Sequence, residues 1–103
     1  MVEYINLTPH PIHLNDGRVF EASGTVARVT STFSEIVDDV CEQVFGEVQK
    51  LPEANDNVRY IVSGMVLAAL KGSREDVVAP ATGHPLTVRN EKGHIISVPC
   101  FTR

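Results

Sequence analysis

The chain has 103 residues, of which 43% are apolar and 21% are charged, as is typical of one globular domain with a single core. The formal net charge is −4, with acids and bases interspersed. Nucleic acid and anionic membranes are therefore disfavoured as partners, because both attract basic surfaces. No apolar run approaches the roughly 20 residues of a membrane span, and the N-terminus lacks a signal-peptide pattern. We expect a single cytoplasmic domain over residues 1–103.

The first third of the sequence predicts short strands joined by tight turns. In the corner at residues 8–11, two prolines bias the residues before them towards extended backbone. Asn15-Asp16-Gly17 is typical of a hairpin turn, because glycine supplies positive φ and Asx residues tolerate it. Ser23-Gly24 marks a further turn. The predicted strands are residues 2–7, 11–14, 18–21 and 25–30.

Residues 31–48 allow two interpretations. Their apolar residues recur at the spacing of an amphipathic helix, which Thr32 and Glu35 could cap as a capping box. Most of these apolar residues are β-branched or aromatic, however, and Asp38-Asp39 could turn a hairpin. Periodicity alone favours a helix over 32–48. The residues concerned are Phe33, Ile36, Val37, Val40, Cys41, Val44, Phe45 and Val48.

The second half predicts further strands around one short helix. Ser63 is a suitable N-cap for an apolar helix at 64–70, which Lys71-Gly72 would end. A helix that is apolar on all sides must be buried on several of them, inside the fold or against a second copy of the chain. A homo-oligomer is therefore predicted. The predicted strands are residues 58–62, 76–79, 86–89 and 94–98, the last two joined by a turn at 90–93.

Cys41 and Cys100 are the two cysteines, and neither belongs to a Cys-x-x-Cys pair. A disulfide between them stays open, but a cytosolic chain of this size needs none. Free cysteine often packs as a small hydrophobe, and Cys100 has apolar neighbours in sequence. We expect two buried, inert thiols.

Six short motifs follow one another along nearly the whole chain. They are Asn-Leu-Thr-Pro-His at 6–10, Ser-Gly-Thr-Val-Ala-Arg-Val at 23–29, Gly-Glu-Val-x-x-Leu-Pro at 46–52, Tyr-Ile-Val-Ser at 60–63, Arg-x-Asp-Val-Val-x-Pro at 74–80 and Val-Arg-Asn-Glu-x-Gly-x-Ile at 88–95. In this order they resemble a family of small uncharacterised proteins encoded by tailed phages and prophages. No single motif is specific, but the combination is.

The resemblance implies a phage-derived accessory protein in the host cytoplasm, of the host-takeover or anti-defence kind, but no reaction. It also favours a hairpin over 31–48, because the family tends to place an Asp-Gly hairpin before Gly-Glu-Val. Here Asp38-Asp39 takes that place. The fold class we expect is α+β, mainly β. It would be a single curled antiparallel sheet or barrel-like sandwich with one short buried helix near 63–71, and the alternative adds a helix at 32–48.

A few polar residues are candidates for a ligand site. Arginines in otherwise apolar strands must be paired or must face a ligand, and two on one concave face would suit a phosphate or carboxylate. Asp76 or Glu47 could instead pair with them. The Asn-Leu-Thr-Pro-His corner offers a hydroxyl and an imidazole, although both could simply close the turn. The predicted ligand-binding residues are Thr8, His10, Arg28, Arg74, Asp76 and Arg89.

The sequence predicts a non-catalytic protein without a cofactor that binds a host component, either an anionic small molecule such as a nucleotide or a host protein surface. A third hypothesis, a small hydrolase or metal enzyme, needs His10 and His84 to meet, with Cys100 or Asp76 as a further zinc ligand. No typical zinc-site spacing supports it, and no glycine-rich phosphate loop is present.

Overall fold

The computed structural model describes residues 2–103 and contains ten strands and one helix in that part of the chain. The mainly β, α+β class is confirmed, and the strands do not close into a barrel. In chain order the elements are β1 (Glu3–Asn6), β2 (Ile12–His13), β3 (Val19–Phe20), β4 (Arg28–Phe33), β5 (Gln43–Gln49), β6 (Val58–Ile61), α1 (Gly64–Leu70), β7 (Val77–Pro80), β8 (Val88–Arg89), β9 (Ile95–Ser97) and β10 (Phe101–Thr102).

A four-stranded sheet in the order β1-β6-β7-β10 forms the centre of the molecule. β1 and β7 both run parallel to β6, and β10 is antiparallel to β7. The expected single antiparallel sheet is therefore corrected to a mixed central sheet with three separate hairpins, β2–β3, β4–β5 and β8–β9. Two parallel neighbours require a crossover between them, and α1 supplies it between β6 and β7.

The main core lies on the face of the sheet that α1 covers. Ser63 caps α1 as predicted, its hydroxyl accepting a hydrogen bond from the Val66 backbone N–H at 3.3 Å. Lys71 ends the helix in a left-handed conformation, with φ of 51°. Val66 is the fully buried residue of the helix, and Leu67 and Leu70 pack against the core from half-buried positions. The buried cluster comprises Leu7, Ala27, Val58, Tyr60, Val62, Val66 and Val77.

Hairpins β2–β3 and β8–β9 cover part of the opposite face. The strand register and the two-residue alternation of side chains place Ile61 and Val78 on this face, and both are buried. Leu14 and Val98 bridge the two hairpins and are buried as well. The predicted turn at residues 15–17 is confirmed, with Gly17 at φ of 95°.

Residues 31–48 form a hairpin, so the helix alternative at 32–48 is wrong. Val37 and Val40 exchange backbone hydrogen bonds, and Asp38 and Asp39 between them have φ of 51° and 66°. Two consecutive positive φ angles are the signature of a type I′ turn, which suits the twist of paired strands. The helical spacing of apolar residues here is outweighed by their β-branched shapes and by this turn.

The Asn6 side chain joins three segments at the end of β1. It is a fully buried polar residue, with 1% of its surface exposed. Its amide nitrogen donates to the backbone carbonyl oxygens of His10 at 2.8 Å and Phe20 at 2.9 Å. Its amide oxygen accepts from the Thr8 backbone N–H at 2.9 Å and from the Thr8 hydroxyl at 2.6 Å. Asn6 thus holds the Asn-Leu-Thr-Pro-His corner against β3.

Replacing Asn6 by Ala should lower the free energy of unfolding by about 2–4 kcal/mol, because the Phe20 carbonyl oxygen and the Thr8 N–H lose the Asn6 side chain as a partner and the His10 carbonyl oxygen keeps only the Thr8 hydroxyl. Urea denaturation of wild type and variant measures the difference. Asn55→Ala is the matched control, since Asn55 is exposed and its side chain makes no hydrogen bond within residues 2–103. Equal losses in the two variants would contradict the structural role of Asn6.

Candidate functional site

A groove with three arginines lies where the hairpins leave the second face of the central sheet open. Its volume is about 300 Å³. We call it the arginine groove, and its lining residues are Tyr4, Leu14, Arg18, Arg59, Val78, Pro99, Cys100, Phe101 and Arg103. None of these side chains is acidic, although the chain as a whole carries −4.

The strands of the central sheet form the floor of this groove. Tyr4 in β1 is the register partner of Arg59 in β6, so parallel pairing brings the ring and the guanidinium to the same face. Val78 in β7 and Phe101 in β10 continue that face across the sheet. Arg18 enters from the turn that follows β2, immediately after Gly17.

Arg59 and Arg103 form no ion pair with a carboxylate of residues 2–103. The Arg59 guanidinium contacts the Val58 carbonyl oxygen at 3.5 Å, at the outer limit of a hydrogen bond. Arg18 is paired with Asp16 at 2.9 Å, and both side chains are more than half exposed. Exposed pairs of this kind contribute little to stability, so Arg18 can exchange Asp16 for another anion at small cost.

Three aromatic rings stand beside these charges. Tyr4 and Phe101 are stacked, with centroids 5.4 Å apart and planes at 28°. Phe20 meets both of them edge-on at 5.3 Å. Tyr4 leaves 37% of its surface exposed. The groove therefore combines a cationic rim with a flat, partly exposed apolar wall.

A second cavity of about 700 Å³ adjoins the arginine groove and shares Arg59 and Arg103 with it. It contains the Arg74–Asp76 pair, which is bidentate: Nε donates to Oδ1 and Nη2 to Oδ2, both at 2.8 Å. Nη2 also donates to the Pro52 carbonyl oxygen at 2.8 Å. Arg74 is thus committed to structure, because it ties the loop before β6 to the start of β7.

The same contacts shift the titration of Asp76. Hydrogen bonds from Arg74 lower the pKa of Asp76 below its ordinary value of 3.8, against the opposing effect of burial, and Arg59 adds a smaller lowering. The Asp76 side chain is only 12% exposed. Because its pKa is lower in the folded chain, the carboxylate stabilises the fold above pH 3.8 and loses this effect as the pH falls through the folded pKa.

Asp76→Asn should therefore cost about 1–3 kcal/mol of stability at neutral pH and progressively less as the pH falls below 3.8 towards the lowered pKa of folded Asp76. Chemical denaturation of both proteins across this range gives the difference. Asp56→Asn is the control, since Asp56 is exposed and forms no ion pair within the described chain. A pH-independent difference between wild type and Asp76→Asn would contradict the assignment.

The six predicted site residues do not converge on one surface. Thr8 and Arg28 line a separate cavity of about 440 Å³ near the start of α1. Arg74 and Asp76 form an ion pair with each other, which was the alternative to a ligand contact. Arg89 is exposed and donates to the carbonyl oxygens of Gly93 and Thr82. His10 is exposed.

The zinc hypothesis also lacks its site. Within residues 2–103, no group of three or more His, Cys, Asp and Glu side chains could hold a metal ion. The His84 Nδ1 accepts a hydrogen bond from the Leu86 backbone N–H at 3.0 Å, as a turn-closing residue does.

The two cysteines are free and exposed, so the prediction of buried thiols is wrong. Cys100 lines the arginine groove, whereas Cys41 lies beyond the turn of the β4–β5 hairpin. Apolar neighbours in sequence did not mean apolar neighbours in space, because Cys100 precedes β10 at the edge of the central sheet.

A larger cavity of about 740 Å³ lies on the other face, between α1, β7 and residues 81–84. Its wall is mainly apolar, and its cations include the already paired Arg74. The arginine groove is the better candidate for an anion, because it brings two cations without ion-pair partners next to exposed aromatic surface.

Sequence reasoning missed most of this groove. None of its charged or aromatic residues is among the six predicted ligand-binding residues; they are Tyr4, Arg18, Arg59, Phe101 and Arg103. The alternation of side chains along β6 could have identified Arg59. It stands between Val58 and Tyr60, which are buried, so its side chain lies on the opposite face of the strand. That β1 and β10 bring aromatic rings to the same face depends on strand order, which the sequence did not reveal.

Comparison with known proteins finds no protein-family model, curated protein or solved structure that matches the chain. The resemblance to phage proteins stays a prediction. No helix among residues 2–103 has the length and apolar character needed to cross a membrane.

Proposed function

We propose that this protein binds a small anionic molecule in the arginine groove and does not transform it. The observation that carries the proposal is the meeting of Arg18, Arg59 and Arg103 around a cavity of about 300 Å³ with no acidic side chain in its lining. A guanidinium presents a planar fork of donors that matches phosphate and carboxylate oxygens in bidentate fashion.

The aromatic wall narrows the ligand class. Tyr4 and Phe101 offer flat apolar surface next to the cations, which suits a ligand with an anionic group on a planar or apolar body. The groove volume lies at the lower end of the range for small-molecule sites, about 300–1,000 Å³. A mononucleotide combines these properties, and we take it as the ligand to test first.

The biological role we propose is sequestration of such a molecule in an infected cell. One observation supports a binding role: the groove brings cations and aromatic rings together. The resemblance to small phage proteins supports the setting.

Thermal denaturation with a panel of nucleoside monophosphates, dicarboxylates and inorganic phosphate tests this proposal. At least one organic anion should raise the melting temperature of the wild type. Arg59→Gln should raise its dissociation constant by about tenfold or more, because a bidentate contact is lost. Arg89→Gln is the control, since Arg89 lies outside the groove and should leave binding unchanged. A panel without any shift would reject the proposal.

Cys100 provides an independent readout from inside the groove. A bound ligand should slow its alkylation by iodoacetamide, measured by mass spectrometry of peptides. Cys41 serves as the internal control, because it is also exposed but lies outside the groove lining. Equal rates for Cys100 with and without a ligand that stabilises the protein would place binding elsewhere.

A further inference from the structure

The outer part of the β4–β5 hairpin carries an unusual amount of exposed apolar surface. We call residues 31–45 the arm. Five of its large apolar side chains leave between 52% and 74% of their surface exposed, whereas Phe45 is half-buried; the five are Phe33, Ile36, Val37, Val40 and Val44. Val44 is the register partner of Thr32 and Gln43 that of Phe33, so Val44 and Phe33 lie on opposite faces and both faces of the arm expose apolar side chains. Exposed apolar surface of this amount on a small protein marks an interaction site. An isolated two-stranded hairpin is also only marginally stable in water, so the arm gains from being covered.

The inner part of the same hairpin is anchored to the body. Val29 and Val48 pack against the main core. The strand register shifts just beyond this pair, where Thr30 faces Gly46, so a β-bulge separates the anchored part from the arm. A bulge bends and twists its strand, which here directs the arm away from the body.

The accessible surface and the radius of gyration of the whole molecule also indicate a surface that a partner could cover. A compact monomer of 11.3 kDa is expected to expose about 5,700 Å². This chain exposes 7246 Å². Its radius of gyration is 15.1 Å, against about 13 Å for a compact domain of this length. The excess area exceeds the roughly 800 Å² that each partner buries in a standard interface.

The outer edge of β4 offers free backbone groups for pairing. The Ser34 N–H donates to the Glu42 carbonyl oxygen, and this bond fixes which residues of β4 face β5. By alternation, the backbone N–H and C=O groups of Ser31 and Phe33 face away from β5. β4 pairs with no other strand of the described chain. Arg28 is the only charged residue of β4.

Charge decides the direction of pairing. The end of the arm carries Glu35, Asp38, Asp39 and Glu42 and no basic residue. The base of the hairpin carries two exposed cations, Arg28 at the start of β4 and Lys50 just after β5, and one exposed acid, Glu47. Two arms lying parallel would bring eight acids together. Two arms lying antiparallel would instead place the acidic end of each beside the basic base of the other.

We propose that a second copy of this chain covers the arm, with the two arms pairing antiparallel along β4 about a two-fold axis near Thr32, so that Ser31 of each copy faces Phe33 of the other. The Ser31 and Phe33 backbone groups of each copy then bond across the axis. Arg28 of each copy lies beside Glu35 and Asp38 of the other. Pairing along β5 is disfavoured, because Glu42 and Glu47 stand near its two ends and would face each other. The inference goes beyond the ligand site, which does not involve the arm.

Sedimentation velocity of the full chain tests the proposal, with concentrations from about 1 to 200 µM to cover a micromolar dissociation constant. The wild type should sediment as a dimer. Phe33→Glu should weaken the dimer by at least about tenfold, because it places like charges close to the axis. Ile96→Glu is the matched control, since Ile96 is similarly exposed but lies in β9. It should leave the dimer intact.

A charge exchange tests the antiparallel direction and does not depend on Phe33. Arg28→Glu and Glu35→Lys should each weaken dimerisation, and the double variant should recover most of the loss, because the ion pair is re-formed with its signs reversed. Circular dichroism confirms that each variant is folded. A wild-type monomer at the highest concentration would overturn the proposal and leave the arm to a different protein. A folded Phe33→Glu dimer as tight as wild type, or no recovery in the double variant, would overturn it as well.

Discussion

The buried amide of Asn6 is the contact on which the second face of the molecule depends. Its four hydrogen bonds join the end of β1, the corner at 8–10 and β3. Through the Phe20 carbonyl it also fixes the β2–β3 hairpin over the sheet, and with it the Phe20 ring that meets Tyr4 and Phe101. The position of the aromatic rings beside the arginine groove therefore depends on Asn6, a buried residue whose amide nitrogen and oxygen both form hydrogen bonds. This also explains the Asn-Leu-Thr-Pro-His corner as a structural device, since the Thr8 hydroxyl and the His10 carbonyl are both engaged there.

The two faces of the central sheet are specialised differently. One face packs under α1 and the inner part of the β4–β5 hairpin, and it holds the main apolar cluster. The other face is only partly covered by two small hairpins, and the uncovered part carries Arg59 and Tyr4. The side chains of a site on this face are held in fixed positions, because they project from strands whose opposite face is buried in the core.

The sequence predicted local structure well and long-range structure poorly, for a physical reason. Turn chemistry at Gly17 and the Ser63 cap act over a few residues, so they could be identified directly. At Asp38-Asp39 the turn signal competed with a helical spacing of apolar residues, and only the resemblance favoured the hairpin that the structure shows. Pairing between β1 and β6 joins residues more than fifty positions apart, and nothing local encodes it. The six predicted site residues are scattered over the molecule for the same reason: Arg74 and Asp76 are neighbours in sequence, whereas the residues of the arginine groove are neighbours only in space.

The order of strands in the mixed central sheet also determines how the chain folds. The three hairpins close between segments that are near in sequence, and such closures take about 1–10 µs. The central sheet must wait for β1 to find β6, and for β10 to find β7, across long intervening loops. Loop-closure entropy makes these the slow steps. Since every strand of the central sheet contributes a side chain to the groove wall, binding competence should emerge only at the last kinetic phase of refolding.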